Sequence, residues 1–333
     1  MNKRFLRVPR LRRVRPILLL LALGSFVDFE ARADESRMLR GEASSAAAPM
    51  PRLISLNPSL TAIVLRLGAG DALVGVDDYS ARSVPEAAKI PNVGGLFDPS
   101  LEAVVGLRPD RVLLVEGIDQ QSHGERLERL GIEIDIYPNE RLDEVLENIE
   151  RLGRILGRER QAAERIQAIL DMRRAVGEAT RALARPKTVA IVDRSPLYLV
   201  GGETFLDEML EAVGAQNLGR ELATGYPRGS IEWLISSRPE LLLDMTPGAV
   251  GASEFWARWP SVPAVAAGRV LTVDASRVSL PGPSLDDALR ALATAVHGPE
   301  IEAAIAAALI DSTKSSIPVE REGSFLSNGA PAP

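Results

Sequence analysis

A chain of 333 residues, 46% apolar and 25% charged, has material for two domains of ordinary size, each with its own core. That balance excludes a disordered or membrane-integral chain. Cysteine is absent, which excludes disulfides, thiolate metal sites and a lipid-modified cysteine anchor.

The N-terminus is a separate object. Residues 1–16 carry basic side chains from Lys3 to Arg15 and no acid, and Ile17–Val27 is an apolar run too short to span a bilayer comfortably. Ala31-Arg32-Ala33 supplies a small-x-small cleavage pattern. Together these read as a secretory signal peptide cut after Ala33. Arg12-Arg13 suggests twin-arginine export, but the residues after the pair do not fit that signal. Without residues 1–33 the chain holds 31 basic and 43 acidic residues, a net charge of −12. That argues against nucleic acid and anionic lipid as partners. A secreted chain with neither disulfide nor lipid anchor is expected free in a Gram-negative periplasm. Residues 34–50 are small and polar, a flexible leader.

The first lobe is expected over 51–157. Arg52–Leu56 reads as a strand. Asn57-Pro58 opens a helix, with asparagine as N-cap and proline where no amide is needed. Leu60, Ile63, Val64 and Leu67 keep helical spacing. Ala72–Val76 is a second strand, with Asp77-Asp78-Tyr79-Ser80 at its end. Residues 81–99 are rich in proline and glycine and read as loop. Gln121–Leu130 reads as helix and Glu133–Tyr137 as strand. The β-α-β order points to a largely parallel sheet covered by helices.

Arg141–Leu183 has no proline and keeps helical spacing throughout, with Gly153 and Gly157 marking a break. The second part, 158–185, lies between the lobes and would link them. The second lobe, 186–298, is expected to contain strands Thr188–Val192, Leu197–Val200, Leu241–Met245 and Arg269–Val273, with helices Thr204–Val213, Glu254–Trp259 and Ser284–Val296. Residues 299–333 read as a disordered tail with one alanine-rich helical candidate over 301–310.

One stretch occurs twice. Ser100–Leu114 and Ser230–Asp244 align at a fixed offset of 130, with Ser100/Ser230, Glu102/Glu232, Arg108/Arg238 and Pro109/Pro239 in register. Each copy reads as a short helix, a proline stop and a buried strand. A single pair so far apart is no solenoid; it indicates two lobes of similar build. An acid near a helix start is favourable on electrostatic grounds alone. Two at matched places in an acidic secreted protein suggest that a partner grips both.

Enzyme signatures are missing. There is no G-x-S-x-G elbow and no phosphate-binding glycine loop. Two histidines, His123 and His297, and no cysteine make a poor transition-metal site. No cofactor of its own is expected, so any metal would arrive already chelated within the ligand. Aromatic residues are few, which singles out Tyr79, Phe97 and Tyr226 in loops beside strand ends. There they could face a cleft and pack on a flat or bulky ligand, or merely cover their own lobes. Trp233, Trp256 and Trp259 read as packing residues.

The segment Arg52-Leu-Ile-Ser-Leu-Asn-Pro-Ser through Gly-Asp-Ala-Leu-Val-Gly-Val76 resembles the opening of the periplasmic receptors of cobalamin, iron-siderophore and haem ABC importers. Val93-Gly-Gly-Leu-Phe-Asp-Pro-Ser-Leu-Glu102 with Leu107-Arg-Pro-Asp110 is similar to that family's most recognisable stretch. Pro263–Val270 and Leu280-Pro-Gly-Pro-Ser284 resemble its closing pattern. The resemblance covers about 52–298. It implies an α/β fold of two lobes, each a mostly parallel sheet with flanking helices, joined by a single long backbone helix, with a shallow cleft and little hinge closure. It implies that Glu102 and Glu232 seat in arginine pockets of a dimeric inner-membrane permease with its ATPase.

The Tyr79 loop and Gly201–Phe205 look closest to the cobalamin branch. Tyr226 corresponds there to a tryptophan that packs on the corrin ring, and Leu96 to a position that often carries an aromatic. Arg82, Arg228 or Arg277 could meet an anionic ferric chelate. The expected ligand site is therefore Tyr79, Leu96, Phe97, Tyr226 and Arg277. The expected function is capture and delivery of a metal chelate, cobalamin or a related corrinoid first, a ferric siderophore or haem as alternatives. A secreted enzyme on a similar scaffold is the remoter alternative.

Overall fold

A computed structural model describes residues 50–96, 98–117, 124–246 and 250–315. The expected signal peptide, Phe97 and His123 lie outside the described residues.

Strands β1 (Leu53–Ser55), β2 (Leu73–Val76), β3 (Arg111–Val115) and β4 (Glu133–Tyr137) form a sheet of order β2-β1-β3-β4. All three pairings are parallel. A parallel sheet is covered on both faces, so its strands need apolar side chains on both. Leu53, Ile54 and Val112–Leu114 meet that need and are fully buried. Asn57 caps helix α1 (Pro58–Arg66), its side chain accepting from the Ser59 amide at 2.8 Å. Leu60, Ile63 and Val64 then enter the core.

The segment after β2 departs from the loop expected there. Asp77 accepts hydrogen bonds from the amides of Tyr79 (2.8 Å) and Ser80 (2.9 Å), which starts helix α2 (Asp78–Ser83). The capping acid decides the local structure, and the prolines act only beyond it.

Both copies of the repeat build the same unit. Ser100 Oγ accepts from the Ala103 amide at 3.2 Å and opens helix α3 (Leu101–Gly106). The second lobe contains β5 (Lys187–Arg194), β6 (Leu197–Leu199), helix α6 (Phe205–Ala212), β7 (Gln216–Asn217), helix α7 (Ile231–Ser237), β8 (Leu241–Asp244) and β9 (Val270–Thr272). Ser230 Oγ accepts from the Trp233 amide at 3.1 Å and opens α7. The acid after each proline ties its unit to the first strand of its sheet. Asp110 Oδ2 accepts from the Arg52 amide at 2.7 Å, and Glu240 Oε2 accepts from the Lys187 amide at 3.0 Å. The second sheet has the order β6-β5-β8-β9, with β7 beside β5. Only β5–β6 is antiparallel.

Between the sheets run α4 (Leu142–Ile155) and α5 (Glu159–Thr180). The break falls at Gly157, whose φ of 61° suits glycine. Gly153 has a different role: a Cβ there would come 2.5 Å from Ala162 Cβ, so its absence lets the two helices approach. The lobes are tied through these helices. Glu208 of α6 accepts from the Leu142 amide at 3.0 Å and pairs with Arg141 at 2.8 Å, so the start of α4 is capped from the second lobe. Arg165 of α5 pairs with Asp286 in the helix Leu285–His297.

The core of the second lobe holds an ion pair. Asp244, fully buried, accepts from Arg194 Nε at 2.9 Å and from Trp256 Nε1 at 2.6 Å. Trp256, in helix α8 (Ala252–Trp256), is thereby a packing residue with a polar handle, as its spacing predicts.

The helical candidate expected over 301–310 forms and extends further, while residues 316–333 of the expected tail lie outside the described residues. After helices α9 (Ala275–Val278) and α10 (Leu285–His297), Ile301–Ser315 forms helix α11, packed along α5. Ile301 and Ile305 are buried. Its alanines give no distinct apolar stripe, so periodicity underestimates it. Glu302 fastens it to α10, accepting from Arg290 Nε at 2.6 Å and Thr294 Oγ1 at 2.7 Å.

Those bonds, Thr294 first, hold the Glu302 carboxyl below its ordinary range. A depressed carboxylate contributes stability above its unfolded pKa, and the contribution fades as pH falls through the folded one. Glu302→Gln should therefore lower stability near neutral pH by up to about 1 kcal/mol, as for other exposed pairs. The difference from wild type should shrink as pH falls below the ordinary glutamate range, read by urea unfolding at a series of pH values.

Candidate ligand cleft and docking surface

Parallel strands end on one side of a sheet, and ligands collect there, where the strand order reverses. Here a cavity of about 800 Å³ lies where two sheets end together. From the first lobe it is lined by Asn57, Pro58 and Ser59 after β1, by Tyr79, Ser83 and Leu96 after β2, and by Asn139 after β4. From the second it is lined by Met245 and Thr246 after β8, and by residues 272–276 and 279–281 at and after β9.

Short polar groups fix these segments. Asp77 is fully buried and accepts from the Ser80 hydroxyl as well as from two amides. Thr61 Oγ1 lies 3.0 Å from Ser80 Oγ and 2.8 Å from Ser55 Oγ, so a buried hydroxyl chain joins α2, α1 and the end of β1. Tyr79 stands on this base with 53% of its surface exposed. Across the cleft, Asp274 caps α9, accepting from the Ser276 amide at 2.9 Å. Thr246 Oγ1 is shielded from solvent and has no hydrogen-bond partner among the described residues.

The expected ligand residues divide. Tyr79 and Leu96 line the cavity together. Arg277 does not: it faces an adjoining groove of about 450 Å³ with Ala62, Gly282 and Asp287, while its neighbour Ser276 lines both spaces. Consecutive residues of a one-turn helix point about 100° apart, which separates them. Tyr226 lies outside the cavity lining. It sits in a segment laid along the sheet edge, where Leu199 donates to Pro227 O at 3.0 Å and Gly201 to Gly225 O at 2.8 Å. Although 45% of its surface is exposed, its hydroxyl is pushed up to about 12, by burial first and by the Glu140 carboxylate second. Glu140 follows β4, so Tyr226 reaches towards the first lobe at the margin of the cleft. Arg82 and Arg228 are exposed and line no part of the cavity.

Attention to aromatic residues missed most of the lining: Asn57, Ser59, Asn139, Thr246, Asp274, Ser276 and Ser279. Their common signal is position, within a few residues of a strand's carboxyl end.

Glu102 and Glu232 occupy the same place in the first turns of α3 and α7, both exposed. Each helix runs back from the cleft end of its sheet, so its acid lies towards the cleft side. The Glu232 carboxyl is held below its usual range by its own backbone amide and then by the Ser230 hydroxyl. Among the described residues no cluster of acids and histidines could hold a metal ion, and no helix is long and apolar enough to cross a membrane.

A family model described as periplasmic binding protein matches residues 53–276. The chain belongs to this family. Its members are periplasmic or lipoprotein binding proteins that serve ABC importers as substrate-binding components. Among its relatives is a vitamin B12-binding protein of Vibrio vulnificus, 26% identical over 74% of this chain and 90% of the relative. The solved periplasmic vitamin B12 binding protein of Vibrio cholerae superposes with a TM-score of 0.66 at 24% identity, over 77% of this chain and 98% of that one. A periplasmic heme binding protein from Pseudomonas aeruginosa superposes with a TM-score of 0.63 at 26% identity, over 75% and 94%. The two-lobed fold is thus common to receptors named for different ligands.

Gly201 is a sensitive point beneath the Tyr226 segment. A Cβ there would lie 2.4 Å from Ala223 O and 2.8 Å from Gly225 O, both backbone atoms that cannot swing aside. Gly201→Ala should destabilise by about 1–3 kcal/mol, as overpacking does. Urea unfolding checks the loss, and displaced amide signals for 223–228 in NMR spectra check its place.

Proposed function

We propose that this chain captures a corrinoid of the cobalamin class in the cleft and delivers it to a dimeric inner-membrane ABC permease with its ATPase. The observation that carries the ligand is the charge of the cleft. Among the described residues lining it there is no lysine, arginine or histidine, and Asp274 is the one ionisable acid. The rest are hydroxyls, amides, Tyr79 and apolar groups. Haem brings two carboxylates and anionic ferric siderophores a net negative charge; both call for cations that this lining does not supply. A corrinoid presents a broad ring edged with neutral amides, which hydroxyl and amide groups can pair. Tyr79 offers an exposed ring for it to pack on. The relative named for vitamin B12 supports the same choice. The haem alternative rests on Tyr79 as a ligand to iron. Cobalt enters with the ligand, and the protein needs no metal of its own.

Capture requires no catalysis, which sets this reading against an enzyme. Secretion by cleavage after Ala33 would release the protein into the periplasm. Glu102 and Glu232, one on each lobe, would seat in basic pockets of the two permease halves.

Calorimetry and tryptophan fluorescence on residues 34–333 test the ligand, with cyanocobalamin, an anionic ferric catecholate and haem as probes. One equivalent of the corrinoid should bind at least tenfold more tightly than either rival and be recovered unchanged. Tyr79→Ala should weaken it by about 0.5–1.5 kcal/mol, the range for a lost aromatic contact. Silence towards the corrinoid, or tighter haem binding, would reverse the order; product release would favour an enzyme.

For docking, Glu102→Ala combined with Glu232→Ala should leave corrinoid affinity unchanged. It should abolish stimulation of the permease ATPase in nanodiscs. Loss of ligand binding instead would move these acids into the cleft.

A further inference from the structure

Arg277 stands beside the cavity and not in it, and the turn that carries it fixes its place. Asp274 Oδ1 accepts from the Ser276 amide at 2.9 Å and from the Ser276 hydroxyl at 2.7 Å, while Val278 is fully buried. With its start tied and its end anchored, helix α9 sets Ser276 where cavity and groove join, and Arg277 in the groove alone. Leu280 also lines both spaces, so the groove is a continuation of the cavity.

The groove, about 450 Å³, runs between the two lobes. Ala62 of α1 lines it from the first lobe, and Gly282, Pro283 and Ser284 ahead of α10 line it from the second. The lobes come close along it: a Cβ on Gly282 would lie 3.7 Å from Ser59 O. In charge the groove differs from the cavity. Its ionisable residues are Arg277 and Asp287. Both are exposed, and neither side chain has an ion-pair partner among the described residues.

The cavity holds about 800 Å³, and no cation is among the described residues that line it. Pockets of about 300–1,000 Å³ bury drug-sized ligands. A cobalamin is larger than these. Besides the ring it carries a nucleotide tail, joined through a phosphodiester that bears one negative charge. A ring that fills the cavity leaves this tail to be placed outside it. The groove continues the cavity at an edge where a guanidinium stands without a partner, and a guanidinium matches phosphate oxygens in geometry and charge.

We propose that the groove between α1 and the start of α10 is the subsite for the nucleotide tail, with Arg277 binding its phosphodiester. This rests on the corrinoid reading given above and extends it from ring to tail. It makes Arg277 a specificity residue, which selects corrinoids that carry a nucleotide over those that do not. Asp287 acts against the anion. It limits the groove to one negative charge, since a second would meet a carboxylate with no further base in the groove to offset it. Arg277 and Asp287 therefore have effects of opposite sign on the same ligand, which a loss of folding would not produce.

Calorimetry with cyanocobalamin and dicyanocobinamide tests this, because the second keeps the ring and its amides and lacks the nucleotide. Arg277→Ala should weaken cyanocobalamin about fivefold, the scale of an exposed charge contact. Arg277→Lys should recover most of that loss. Asp287→Asn should tighten cyanocobalamin about two- to threefold, on the same scale. None of the three should move the affinity for dicyanocobinamide. The preference for cyanocobalamin should narrow as salt is raised, because the charges in the groove are open to water. Arg66 supplies the control. It stands in a further hollow of about 400 Å³ that shares Ala62, Leu280, Pro283 and Ser284 with the groove, and Arg66→Ala should leave both affinities alone. Equal weakening of both corrinoids by Arg277→Ala, no change in either, or an equal loss from Arg66→Ala would overturn this proposal and leave the corrinoid reading intact. Failure of both corrinoids to bind the wild-type protein would overturn that reading and this one with it. Haem that binds more tightly than either, and loosens in Arg277→Ala, would assign the groove to a carboxylate and overturn both.

Discussion

Parallel strands all end on the same side of their sheet, and this chain arranges two such sheets so that their carboxyl ends share one cavity. Everything local serves that arrangement. Each sheet needs a helical return between its strands, and each return before the third and eighth strands is closed in the same way. A serine caps the helix, a proline ends it, and the following acid bonds the amide that leads into the first strand of the sheet. The staple fixes the height of the helix against the sheet. It thereby fixes where the strand stops and which residues reach the cleft. The side chains that line the cavity are ordinary; the positions they occupy are set by backbone geometry further back.

The ties between the lobes have equally local causes. A hinge needs a segment that can absorb rotation with few bonds across it. Here the start of α4 takes its cap from Glu208 in the other lobe, and α5 is held to α10 through Arg165 and Asp286. Gly153 draws α4 and α5 together, and α11 lies along α5. These ties would resist the hinge motion that the family resemblance implies to be small. A turn of one lobe against the other would strip an amide of its cap and separate two charged pairs, at least one of them largely shielded from water.

Legibility in the sequence followed the strength of the local signal. Most strands of the two sheets are apolar runs with few other readings, the polar pair Gln216–Asn217 of β7 being the one the sequence did not show, and the Asn57-Pro58 start is unambiguous. The helix after Asp77 was hidden by the prolines that follow it, although the aspartate itself was the sign. The helix at Ile301–Ser315 was legible over 301–310, and its extent was not, because alanine neither forms a stripe nor breaks one. At the cleft, Tyr79 and Leu96 were legible from their neighbourhood. Asn139 and Thr246 were not, because a lone amide or hydroxyl has no pattern; only the strand ends place them. That Arg277 lines the adjoining groove was not legible, because which side of a one-turn helix a residue faces depends on the cap before it.

The repeat and the cleft obey different rules of symmetry, and the difference separates two tasks. Surfaces that meet a two-fold partner gain from being equal, and the repeated helices are equal in caps, exposure and charge order. A ligand with no two-fold axis gains nothing from equal walls. The cleft accordingly draws Tyr79 and the Asn57 segment from one lobe, and the Asp274 turn and Thr246 from the other, with no correspondence between them. At the offset that aligns the helices, the buried Asp244 stands opposite the apolar Leu114. The pseudo-symmetry therefore persists along the helices and lapses at the strand ends. A change in ligand would require replacing residues only where the two lobes already differ, and the docking proposed for the matched helices would be untouched.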